Sequence, residues 1–96
     1  MTLGMFTDAK DYITWVESRI SMYEKELKLH KKIFADEKKG IGKVEWCKRN
    51  NIPDYAVESA WATQLKWRGD YVKYLKKQIN MMHRDIEDTK ILYGVE

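Results

Sequence analysis

The chain has little that would staple or punctuate a fold. Of its 96 residues, one is cysteine (Cys47), one is proline (Pro53) and five are glycine. A single cysteine excludes an internal disulfide framework and fits a reducing compartment. So few breakers argue against an all-β fold, collagen or a disordered chain. No stretch approaches the ~18–20 apolar residues of a membrane span. Met1 to Phe6 has no basic head and too short an apolar run for a secretory signal. The expectation is a cytoplasmic protein with no membrane partner. At 11.5 kDa there is room for one helical domain, residues 1–96, and one core.

Charge and apolar residues are abundant, at 34% and 44% of the chain, and both follow helical spacing. Ala9, Ile13, Val16, Ile20, Tyr23, Leu27, His30 and Phe34 recur at alternating intervals of 4 and 3. That is a heptad seam of the kind a coiled coil uses. Thr7 or Asp8 can cap its start, with Asp11 near the positive end of the dipole. Lys38 and Lys39 suit its end, and Gly40 can supply a left-handed stop. The first helix is predicted at about 8–38. Trp61, Leu65, Arg68, Val72, Leu75, Ile79, Met82, Ile86, Thr89 and Tyr93 repeat the alternation. Pro53 fits the first turn of that helix, predicted at about 53–92. Between them lies a short amphipathic piece at about 43–49, closed by Asn50 and Asn51. The expected architecture is an all-α antiparallel helical hairpin with a short helix at its tip, assembling into a helical bundle. Counting back from the tip places Tyr23 near Tyr71 and Val72, Val16 near Ile79, and Ala9 near Ile86.

Each helix carries more apolar surface than one pairing needs. Helix 1 has Trp15, Met22 and Leu29 spaced by seven beside its seam. Helix 3 has Ala60, Trp67, Tyr74 and Met81, also spaced by seven, with Tyr71 alongside. A large apolar side chain gains roughly 1.5–3 kcal/mol on burial, so columns of them left wet point to a partner surface. Trp15, Met22, Leu29, Trp67, Tyr71, Tyr74 and Met81 are therefore the expected partner-binding residues, for a homodimer or for another protein.

Net charge is only +3, but it is unevenly spread. Residues 25–49 hold nine Lys/Arg against four Asp/Glu, and residues 66–77 hold five against one. In the hairpin both basic stretches share the tip end. Lys43, Lys48, Arg49, Lys66, Arg68, Lys73, Lys76 and Lys77 are the cations expected to meet an acidic partner or a nucleic acid. Arg68, on the apolar seam, must snorkel or pair with an acid such as Glu24 or Glu26.

Signals for chemistry are sparse. His30 and His83 lie at opposite ends of the expected hairpin, and Cys47 has no histidine close in sequence. Glu-x-x-His, phosphate-binding glycine loops and Cys-x-x-Cys are all absent from the sequence. No catalytic residue, cofactor or metal is expected. Arg68-Gly69-Asp70 matches the integrin-binding tripeptide, but within a helix rather than an exposed extracellular loop. Trp67-Arg68-Gly69 resembles the Trp-x-Gly signature of secreted helical hairpins exported by type VII systems. There the signature occupies the inter-helix turn, which here ends at Pro53.

One further match lies at the tip. Trp46-Cys47-Lys48-Arg49-Asn50-Asn51-Ile52-Pro53, followed by Val57 and Trp61, resembles a helix-turn-helix core. Cys47 takes the small position, Ile52 the turn apolar position and Val57 the recognition-helix anchor. Asn51 stands where glycine is usual and tolerates the left-handed conformation. The resemblance implies a DNA-binding regulator with Asp54, Tyr55, Glu58 and Ser59 facing the groove. Asp54 and Glu58 would then meet phosphates, against which Lys43, Lys48, Arg49, Lys66 and Arg68 must compensate. The expected function is a non-catalytic helical interaction protein. Its small, charged style suits a phage or mobile-element regulator or inhibitor that binds a host macromolecular complex in the host cytoplasm. The helix-turn-helix regulator is the alternative.

Overall fold

In the computed structural model, which describes residues 8–94, the chain is all-α. It runs α1 (Ala9–Lys38), α2 (Lys43–Arg49), a single 3₁₀ turn (Asp54–Ala56) and α3 (Val57–Tyr93). There is no strand among the described residues, and no helix among them is long and apolar enough to cross a membrane. Thr7 and the start from Met1 to Phe6 lie outside the described residues.

The helix ends form where local chemistry supplies partners for the orphan backbone groups. Asp8 caps α1, its Oδ1 accepting the Asp11 N–H at 2.8 Å. At the other end Gly40 adopts φ 82°. The Ile41 N–H donates to the Asp36 carbonyl and the Gly40 N–H to the Glu37 carbonyl, a Schellman stop. The same device closes α2 without glycine. Asn51 takes φ 55°, while the Ile52 and Asn51 N–H groups reach the Cys47 and Lys48 carbonyls. Asn50 adds a side-chain bond to the Trp46 carbonyl at 2.8 Å. Pro53 departs from expectation. Its ψ of 154° is extended, so it stands outside the helix and the 3₁₀ turn leads into α3 four residues later.

The helices pack as two compact units, one holding α1 to Glu26 with α3 from Leu75, the other spanning Leu27–Tyr74. In the first, the expected seam is the core: Ala9, Ile13, Val16, Ile20, Leu75, Ile79 and Ile86 are buried. Tyr12 donates its hydroxyl to Asp85. Thr89 is 1% exposed, and its Oγ1 has no hydrogen-bond partner among the described residues.

In the second unit α1 and α3 run antiparallel. Glu37 meets Trp61, Gln64 and Arg68, whereas His30, farther back, meets Arg68 and Tyr71. This shifts the register counted from the tip by about one turn in this unit: His30, where Tyr23 was expected, meets Tyr71. The cause is α2. Trp46 packs edge-on against Trp61 at 5.4 Å between centroids, and Lys43 binds Glu58 at 2.7 Å. The first turn of α3 is thus spent on α2, and pairing with α1 starts a turn later than a symmetric fold-back would have it. Gly69 permits the close approach of a side chain rather than a backbone. A Cβ there would lie 3.0 Å from Phe34 Cζ.

Two outcomes test this packing. The bond to the Asp85 carboxylate, then burial, then the charge on Asp85 raise the Tyr12 phenol from 10.0 to about 12. The folded-state value is raised, so the stabilisation is full below pH 10 and lost as pH rises through 12. The stability gap between wild type and Tyr12→Phe in urea melts should close across that window, and a constant gap contradicts the assignment. Thr89→Val removes the unpaired hydroxyl at nearly constant volume. It should raise stability by about 1 kcal/mol, read as a higher Tm.

Candidate functional site

The second unit is organised around Glu37, which is buried at 7% exposure. Its Oε1 accepts Arg68 Nε at 2.8 Å and its Oε2 accepts Gln64 Nε2 at 3.1 Å. Its backbone carbonyl accepts the indole N–H of Trp61 at 3.2 Å. One residue in the last turn of α1 therefore holds three residues of one face of α3. The bond to Trp61 satisfies the polar edge of a buried indole.

Arg68 extends the network. Its Nη1 lies 2.7 Å from His30 Nδ1. Guanidinium nitrogens only donate, so Nδ1 accepts and the imidazole proton sits on Nε2. Arg68 pairs with an acid, as the sequence led one to expect, but the acid is Glu37 rather than Glu24 or Glu26. The Arg68 side chain is only 13% exposed and ion-paired, so it belongs to the interior and is removed from the cations offered to a partner.

The network ends at the surface in an aromatic ladder. His30 meets Tyr71 edge-on at 4.7 Å. Tyr71 stacks on Trp67 at 5.6 Å and 2° and on Tyr74 at 6.1 Å and 21°. Arg68 also lies 4.9 Å from the Trp67 ring centre, a cation–π distance. Trp67 is 51% exposed and Tyr74 48%. A shallow groove of ≈ 520 Å³ beside the ladder runs between Trp46 and Trp67 over Ala60, Thr63 and Gln64. Leu29 of the same unit is exposed too. In the first unit Trp15, Met22 and Met81 are exposed.

The remaining expected cations have different surroundings. Lys43 is bound to Glu58, and Lys66 pairs with Asp70 at 3.2 Å on the exposed surface, where such a pair contributes little. Lys48, Arg49 and Lys73 are exposed on the second unit, and Lys76 and Lys77 on the first. By sequence the second unit holds eleven Lys/Arg against six Asp/Glu. At the tip, Lys43, Cys47, Lys48, Asn51, Asp54 and Val57 line a cleft of ≈ 580 Å³. Among the described residues no group of three or more His, Cys, Asp or Glu could hold a metal ion.

Glu37 is the site residue that sequence reasoning missed. It falls three residues after Phe34, at the next position of the α1 seam. A charged residue on that seam opposite a seam arginine was the available signal. No protein-family model matches the chain, and neither a curated protein nor a solved structure matches it.

Breaking the pair should be costly. Glu37→Gln strands the Arg68 guanidinium and should destabilise by about 3 kcal/mol, with a loss of near-UV circular dichroism as the ladder loosens. Adding Arg68→Met to Glu37→Gln should cost less than the two single effects combined. Additive costs in urea melts would show that the two side chains do not act together.

Proposed function

We propose that this chain is a non-catalytic helical interaction protein that docks a macromolecular partner on the aromatic ladder of its second unit. The carrying observation is that Trp67 and Tyr74, the outer rings of a stack fixed from below by buried charge, each expose about half their surface. Aromatic rings held in one conformation lose little entropy when a partner covers them, which is why they dominate binding energy at interfaces. The surplus of basic residues in the same unit favours an acidic partner and speeds the encounter.

A second reading, a helix-turn-helix DNA-binding regulator, is favoured by the left-handed Asn51 between α2 and α3. Exposed Asp54 and Glu58 at the start of α3 weigh against it, as does the engagement of Lys43 by Glu58.

The test compares wild type with Trp67→Lys/Tyr74→Lys after circular dichroism has shown equal helicity. Tagged wild type should retain a partner from source-cell extract, and the variant should retain at least tenfold less. Identical retention by both overturns the ladder reading. If wild type and the ladder variant instead bind labelled duplex equally, with affinity falling steeply with salt, the DNA reading takes its place.

A further inference from the structure

The first unit carries an exposed flank of its own, on α1. Trp15, Arg19, Met22 and Glu26 follow at intervals of 4, 3 and 4, the spacing of a coiled-coil seam. Trp15 is 45% exposed and Met22 60%, and Glu26 is exposed. The Arg19 guanidinium lies 5.1 Å from the Trp15 ring centre and 5.7 Å from that of Tyr23. Its Nη2 donates to the Tyr23 hydroxyl at 3.4 Å. Two rings thus hold the cation on the flank in one place. Its planar fork of five donors suits a carboxylate.

The order of this flank is cation, apolar residue, anion. Read backwards, it is its own charge complement. A parallel in-register pairing of two such flanks would set Arg19 on Arg19 and Glu26 on Glu26. An antiparallel pairing sets each Arg19 on a Glu26, twice, by symmetry. Self-complementarity of one patch is what a two-fold interface requires.

We propose that this flank binds a second copy of the chain, α1 antiparallel to α1, with the two Met22 side chains meeting at the two-fold axis and Arg19 of each copy on Glu26 of the other. The proposal rests on reading the exposed flanks as docking surfaces. Affinity comes from covering Trp15 and Met22. The charges contribute little binding energy at a rim and choose the orientation.

Sedimentation equilibrium tests it. Wild type should pass from monomer to dimer as concentration rises. Arg19→Glu and Glu26→Arg each set like charges at both contacts, and each should weaken dimerisation at least tenfold. An equimolar mixture of the two variants restores both opposite pairs and should associate as wild type does, as should the double variant Arg19→Glu/Glu26→Arg. Met22→Lys should leave a helical monomer. A wild type that stays monomeric at every concentration, or a mixture without rescue, overturns the proposal. Neither result touches the ladder reading, which stands or falls on the Trp67/Tyr74 comparison.

Discussion

An ion pair taken largely out of water, Glu37 with Arg68, is the contact on which the second unit depends. Each charge loses several kcal/mol of hydration on burial, and Coulomb attraction alone does not offset that. Here the offset comes from filled hydrogen-bonding positions. Both carboxylate oxygens of Glu37 are used, and Arg68 donates from both Nε and Nη1. Glu37 also stands in the last helical turn of α1, where the helix dipole disfavours an anion. A carboxylate persists there because a guanidinium meets it. What the pair adds beyond energy is position. An apolar heptad seam loses little when it slides by one repeat, whereas Glu37 and Arg68 have one alignment that pairs both.

From that fixed point order passes outward. Arg68 sets the tautomer of His30, His30 bears edge-on against Tyr71, and Tyr71 is the middle ring of the ladder. Rings so anchored present half their area without being free to collapse. Trp61 and Trp67 show the contrast on a single helix. Six residues apart, they fall on different flanks. Trp61 is buried with its N–H on the Glu37 carbonyl, and Trp67 is half wet.

The helices were legible from spacing and from their end residues. The α2 bounds, the Asp8 cap, the Gly40 stop and the left-handed Asn51 each rest on local chemistry, and local chemistry can be read in order along a chain. The pairing was less legible. Counting back from the tip assumes that both helices begin pairing at once. The first turn of α3 is occupied by α2 instead, and nothing in the local sequence states that Trp46 will find Trp61. Pro53 misled for a related reason: proline is equally at home in the first turn of a helix and just outside one. The columns Trp15–Met22–Leu29 and Trp67–Tyr74–Met81 were visible as spacing. The stacking within the ladder and its support by buried charge were not.

What remains is why two short units keep so much apolar surface in water. Stacking recovers part of the cost, since each aromatic pair contributes about 0.5–1.5 kcal/mol beyond area burial. It shields ring faces only within the ladder, and it does nothing for Met22, Leu29 or Met81. Scattered exposed apolar residues are ordinary on any protein. Residues repeated every seven positions on a helix are not scattered, because that period returns each one to the same line. A line of apolar side chains along a helix is the geometry that receives another helix. The surplus that folding leaves uncovered is therefore ordered in rows, and it is this order on which the proposed docking rests.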